Sequence, residues 1–312
     1  MGGGGGVFGG KYNPERYKEI LRDAQSKSSN KSFETEANGM VDGLLAEYSR
    51  NPDRTTEHLE LVKNCLEDGI DGTLELRFGG SVHKHTYVDG LSDVDVLVII
   101  NNSELANGSP KEILNYIKDK IEKSNLQGVS SVKIGDLAVT VTFSDGEEIQ
   151  LLPALKQETG YKIANRGSNS WSGIIRPEKF ANRLTEVNQS CGGKVVPVVK
   201  LAKDIIYSLP SDQQLKGYHI ESLAVEIFKD YPSDKPRIPR QMLKDFFEGA
   251  AKLVNSPIND QTGQSLHVDD YLGNYDSVER RKIGYALNRI YNRMKNADNV
   301  HDVDEWKSIL GL

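Results

Sequence analysis

The sequence predicts an α/β (α+β) protein, a mixed sheet carrying helices followed by a helical half. Three observations lead there. Between residues 72 and 155, apolar residues alternate in short runs, the period of half-buried strands, with one well-capped helix among them. From about residue 195 onward, the apolar spacing turns helical. And Phe78-Gly79-Gly80-Ser81 lies a short step ahead of Asp93-Val94-Asp95, which opens the β-branched run Val94 to Ile100.

The elements follow in order. Residues 1–10 are a Gly-rich arm with Phe8 as its large aromatic. Pro14 to about Gln25 is a short helix, and a polar Ser/Lys/Asn stretch follows it. Residues 33–69 place Met40, Leu44, Leu45 and Tyr48, then Leu59, Leu61, Val62 and Leu66, at helical spacing, and Asn51-Pro52 divides them into two helices. Gly72 to Phe78 alternates as a strand; the Gly-Ser turn, a short helix and the Asp-x-Asp strand come next. Ser109-Pro110-Lys111-Glu112 starts a helix that runs to about Lys123, with Ser109 as its cap. Val132 to Phe143 alternates as one strand, Ser144-Asp145-Gly146 signals a hairpin turn, and Ile149 to Leu155 returns. Helices over 196–207, 220–229, 239–255 and 277–294, the last capped by Ser277, complete the chain. This divides it into the arm (1–10), an α/β catalytic core with its N-terminal helices (11–165) and a helical C-terminal domain (166–312).

Composition narrows the function classes. An apolar fraction of 37% with 27% charged residues suits a soluble globular protein, and no apolar run approaches bilayer-spanning length. Cys65 and Cys191 are too few for a disulfide framework and have no metal-ligand partner at useful spacing, so they read as buried thiols of a cytoplasmic protein. A net charge of −6 argues against a grip on long duplex or template nucleic acid, but it leaves nucleoside triphosphates open, since one basic cleft can reverse the local field.

The chemistry sits in the paired acids. Residues two apart on a strand share a face, so Asp93 and Asp95 present carboxylates side by side. Like charges that close repel unless a cation lies between them, and hard carboxylate oxygens suit Mg²⁺. Gly80-Ser81 upstream would cradle phosphates. Alone, the Asp-x-Asp is a solvated strand end and the Gly-Gly-Ser a turn; together they point to metal-assisted nucleotidyl transfer. His83 and His85 do not share a helix face and read as polar neighbours of phosphate at best, while Trp171 reads as a loop anchor.

With Leu151-Leu152-Pro153-Ala154, Val199-Lys200-Leu201-Ala202-Lys203, Tyr218-His219-Ile220-Glu221-Ser222-Leu223, Thr262-Gly263-Gln264-Ser265 and Val268-Asp269-Asp270-Tyr271-Leu272-Gly273, these motifs resemble the cyclic-GMP–AMP-synthase-like and oligoadenylate-synthase-like nucleotidyltransferases (CD-NTases) of bacterial antiviral defence. The likeness covers nearly everything after the arm. It implies a DNA polymerase beta-type nucleotidyltransferase core. It implies that Gly80 and Ser81 hold the donor triphosphate and that Asp93 and Asp95 ligate two Mg²⁺ ions, with Mn²⁺ as a substitute. It further implies that Lys203 contacts phosphate and Tyr218 stacks on a base. The implied product is a signalling oligonucleotide, cyclic in the first reading and linear or deoxy in the second, made from nucleoside triphosphates with ATP foremost. A downstream effector would sense it.

One position departs from the family. The register of the third carboxylate falls on Gln150, which offers a carbonyl oxygen but neither charge nor base. Glu148, on the same strand face, could supply the missing carboxylate; Glu147 faces away. The alternative function is therefore a nucleotide-binding regulator that has lost its chemistry at Gln150. Gly217 also stands where the family often has serine.

Overall fold

The computed structural model describes residues 14–48, 52–68, 70–88, 94–262 and 265–312. The Gly-rich arm, Asn51, Asp93, Gly263 and Gln264 lie outside the described residues.

Helix α1 spans Pro14–Glu47 and α2 spans Pro52–Glu67. The first is one continuous helix, where the sequence suggested a short helix and a polar gap. Ser, Lys and Asn cost a helix only tenths of a kcal/mol each, so apolar contacts further along carry it through. Strand β1 (Glu75–Phe78) leads into the short helix α3 (Gly80–His83), then β2 (Val94–Ile99). Helix α4 (Pro110–Ser124) begins as expected: Glu112 accepts hydrogen bonds from the Ser109 amide and hydroxyl, each at 2.8 Å.

The alternating stretch after α4 is two strands, β3 (Val129–Ile134) and β4 (Val139–Phe143). Alternation alone cannot separate one long strand from a hairpin; the turn closes where the Gly135 amide donates to the Ala138 carbonyl at 2.8 Å. Strand β5 (Glu148–Gln157) follows the expected turn at Gly146, whose φ is +91°. Strand β6 (Gly160–Ile163) and helix α5 (Pro177–Ser190) have no counterpart in the sequence reading. Then come α6 (Val195–Tyr207), α7 (Gly217–Phe228), α8 (Pro239–Leu253), α9 (Val278–Val300) and a further short α10 (Val303–Leu310).

The six-stranded mixed sheet has the order β1-β2-β5-β4-β3, with β6 also on β5. Among the described residues only β2 and β5 run parallel, with Asp95 opposite Gln150 and Leu97 opposite Leu152; the other pairs are antiparallel. Pro153 falls between the β4 partners, which end at Leu151, and the β6 partners, which begin at Ala154. One sheet face buries Val94, Val96, Val98, Val139, Val141, Ile149 and Leu151 under α2 and α4. Its other face carries Asp95, Leu97, Gln150 and Leu152, which are only half-buried.

A second, larger core joins α1 to the helical half: Phe33, Ala37, Val41 and Leu44 of α1 pack with residues of α5 to α10. The N-terminal helices thus part company. Helix α2 belongs to the sheet and α1 to the helices, so a boundary that places both in the 11–165 core does not follow the packing. No helix among the described residues is long and apolar enough to cross a membrane.

Candidate active site

The site begins where β1 turns back over β2. The Gly79 amide donates to the Asp95 carbonyl at 2.7 Å. Gly80 has φ +47°, and a Cβ there would come within 1.7 Å of Asp95 Oδ2. Only glycine lets the chain pass so close over the carboxylate in a left-handed conformation. Gly79, Gly80 and Asp95 line a cavity of about 520 Å³ between the sheet and the helical half. Ser81 is buried inside α3 instead, with its carbonyl accepting from the Thr86 amide at 2.9 Å, and does not line the cavity.

The other carboxylate candidates separate. Parallel pairing sets Gln150 beside Asp95. Glu148 lies opposite Thr142 and accepts its hydroxyl at 3.1 Å. Neither lines the cavity that Asp95 lines. Glu147 is buried on the other side, where it accepts from Thr55 and pairs with His58 of α2. Among the described residues no group of three or more His, Cys, Asp or Glu side chains surrounds a metal position. The oxygen donors at Asp95 nonetheless suit a hard divalent cation, with Asp93, outside the described residues, as the second carboxylate in sequence.

Behind α3 lies a buried charge cluster. Lys203 is 1% exposed; its ammonium donates to Glu221 Oε1 at 2.9 Å and to the Thr86 carbonyl at 3.0 Å. Glu221, also buried, accepts from the Thr86 hydroxyl and pairs with Lys84. Burial pushes the Glu221 carboxyl up, but Lys84, Lys203 and Thr86 outweigh it and hold it down at about 2. Burial draws the Lys203 ammonium below its usual range while Glu221 opposes the shift. Lys203, expected at phosphate, is therefore sealed beneath the wall; the lysine that lines the cavity is Lys84. Gly217 sits against this cluster, and a Cβ there would meet Tyr207 Oη at 3.0 Å and Lys203 Cε at 3.4 Å.

Aromatic side chains also line the cavity. Tyr218, in the first turn of α7, meets Phe180 of α5 edge-on, ring centroids 4.7 Å apart. Its hydroxyl donates to Asp260 Oδ1 at 2.8 Å, and burial together with that carboxylate raises the phenol well above its usual range. Asp260 also accepts from the Thr262 amide at 2.8 Å and the Ser265 amide at 3.0 Å, so this turn, noted in the sequence without a role, clamps Tyr218. Arg77 Nη1 donates to Tyr161 Oη at 3.2 Å along the wall, beside Glu178.

His83 lines the cavity, whereas His85 turns away from regular structure at φ +57°. Trp171 packs against the sheet core as a loop anchor, and both cysteines are buried and free, as expected. Sequence reasoning missed Lys84, Arg77, Phe180 and the role of Glu221. Lys84 was findable, three residues past Ser81; Phe180 was not, because α5 was not read as a helix.

Comparison with known proteins bears on the fold that carries this cavity. Residues 52–188 match the family described as Second Messenger Oligonucleotide or Dinucleotide Synthetase domain. No curated protein matches the sequence. The STING-associated CdnE c-di-GMP synthase of Capnocytophaga granulosa is 20% identical over 96% of this chain and 93% of its own, with a TM-score of 0.55. CdnG of Bradyrhizobium diazoefficiens, solved in complex with GTP, is 12% identical over 88% and 96%, with a TM-score of 0.65. Vibrio cholerae DncV, a cyclic AMP-GMP synthase solved with a linear intermediate, is 11% identical over 96% and 90%, with a TM-score of 0.60. At such identities the likeness is one of fold, the polymerase-beta-like nucleotidyltransferase fold with its helical half. The chain is thus similar over residues 52–188 to that synthetase domain and shares its overall fold with these bacterial CD-NTase structures.

Proposed function

We propose that this protein joins nucleoside triphosphates, ATP foremost, into a signalling oligonucleotide closed into a ring, with release of pyrophosphate. The observation that carries the reading is Asp95 under the Gly79-Gly80 turn, lining one cavity with Tyr218 and Phe180. A nucleotide base stacks on the aromatic pair, and its phosphates lie along the turn toward Asp95. Asp95 and Asp93 would hold two Mg²⁺ ions, or Mn²⁺ in their place. When bound, such ions neutralise charge on the phosphoryl oxygens and lower the pKa of an attacking hydroxyl. Gln150, beside Asp95, orients the acceptor hydroxyl through its amide, and Glu148 is the nearest carboxylate along the same strand face.

Mass spectrometry of products from the four ribonucleotides and the four deoxynucleotides, with Mg²⁺ or Mn²⁺, tests this. Asp95→Asn should abolish product and leave the thermal melt nearly unchanged, and EDTA should stop turnover. Product that survives in Asp95→Asn would remove this site assignment. A ladder of open-ended lengths would favour linear synthesis.

The pairing of Gln150 with Asp95 favours a second reading, a nucleotide-binding regulator without turnover. Triphosphate binding without product under either metal would support it, and activity gained in Gln150→Asp would support it further. In the leading reading the protein works in the bacterial cytoplasm, in antiviral defence, beside an effector that senses the product.

A further inference from the structure

We propose that Glu221 is a positioning residue whose buried carboxylate holds Lys84 at the cavity wall as the cation that meets the triphosphate. This rests on the nucleotide reading of the cavity. Two ammoniums, Lys84 and Lys203, share the one carboxylate of Glu221. Lys203 is sealed from the cavity and spends its remaining hydrogen bonds on Thr86. Lys84 is the member that reaches the lining. Its ammonium lies 5.2 Å from the centroids of both Phe180 and Tyr218. It therefore lines one cavity with both the aromatic pair and the Gly79-Gly80 turn, within reach of a bound nucleotide's phosphates.

The division of labour follows from burial. An ammonium with no water around it and a full set of protein partners has little to gain from an incoming anion, whereas one that borders a water-filled cavity does. Glu221 also receives the Thr86 hydroxyl, and Thr86 in turn donates its amide to the Ser81 carbonyl. One carboxylate on α7 thus ties Lys84 to the α3 turn over Asp95. The surplus positive charge of the pair of lysines is left on the cavity side.

The test is the affinity of fluorescent ATP and GTP analogues, and of the matching nucleosides, for the full chain and for Lys84→Met, Glu221→Gln and the double variant. Thermal melts run alongside. Lys84→Met should weaken triphosphate binding by roughly 10- to 100-fold, the span of one charged hydrogen bond, and leave nucleoside binding nearly unchanged. Glu221→Gln should weaken the triphosphate comparably in the wild-type background and add little in the Lys84→Met background. Should Glu221→Gln fail to fold, Lys203→Met with Glu221→Gln removes the buried cation together with its counter-ion. That pair should then bind triphosphate more weakly than Lys203→Met alone. Triphosphate affinity indifferent to Lys84→Met, or a Glu221→Gln penalty undiminished without Lys84, overturns the positioning role and leaves the nucleotide cavity standing. A wild-type protein that binds neither triphosphate overturns both.

Discussion

Gly80 is the residue at which conformation and chemistry meet most tightly. Its φ is +47°, and a Cβ at this position would lie 1.7 Å from Asp95 Oδ2, so Gly80→Ala must move the turn, the carboxylate or both. Left-handed backbone costs an alanine about 1 kcal/mol, so the fold should survive. A carboxylate displaced by an ångström should cost about 100-fold in turnover, read from initial product rates beside an unaltered circular dichroism spectrum. Tyr218 contributes through its ring rather than its backbone. Tyr218→Leu keeps an apolar side chain against Phe180 but loses the π-face, and triphosphate and nucleoside affinity should both fall by about 1–3 kcal/mol. Tyr218→Phe, which loses only the bond to Asp260, should retain most of that binding. At this scale the motif residues were legible and their surroundings were not. Asp95, Gly80 and Tyr218 stand at the cavity, but Lys203 is turned inward by Glu221 and Thr86, and Ser81 is buried within α3.

Helix α7 is held by the segment that runs from Asp260 to Arg280. Arg280, fully buried, donates to Asp269 Oδ2 at 2.6 Å and to the Val254 carbonyl at 2.9 Å. His219 faces the same carboxylate, with its Nε2 3.5 Å from Asp269 Oδ2 and its Nδ1 3.0 Å from Tyr271 Oη. Burial, reinforced by Arg280 and opposed by Asp269, lowers the imidazole from 6.5 to about 4. The folded protein therefore binds fewer protons than the unfolded chain between those values, and stability falls as pH drops from about 6.5 to 4. Glu221 acts at lower pH: its stabilising contribution is present above 4.5 and is lost as pH falls toward about 2. Urea unfolding at pH 7 and pH 4.5 should show the His219 component, and His219→Gln should flatten the difference. Equal pH dependence in that variant would assign the acid sensitivity elsewhere. None of this clamp can be read from α7 alone, because its partners lie about fifty residues downstream.

Across the whole molecule, one buried guanidinium fastens the N-terminal helix to the last two. Arg240 is 1% exposed and donates to Glu34 Oε1 at 2.6 Å and to Asn38 Oδ1 at 3.1 Å, and it pairs with Asp298. Its carbon centre lies 5.1 Å from the Phe33 ring and 5.2 Å from Trp306, whose indole donates to Asp298 at 3.0 Å. Arg240→Met removes the bonds to Glu34 and Asn38 and leaves Asp298 to Lys244 and Trp306, and should destabilise the protein by about 2–3 kcal/mol in chemical denaturation. Because α1 packs in the helical core, a chain beginning at residue 52 should bare the seat of Phe33, Val41 and Leu44 and aggregate. An equally stable, monomeric product of that truncation would show that α1 is dispensable.

What the chain alone made legible by pattern was local: the strand and helix periods, the Ser109 and Ser277 caps, and the Gly-Ser turn ahead of an Asp-x-Asp. Each is set by neighbours within a few residues, through backbone conformation and side-chain spacing. The packed fold was needed to settle that α1 joins the helical half, that one alternating run is a hairpin, and that Lys84 rather than Lys203 faces the cavity. Those outcomes depend on which surfaces bury together and which charges find partners from far along the chain, and desolvation is a property of the packed molecule, not of any segment of it.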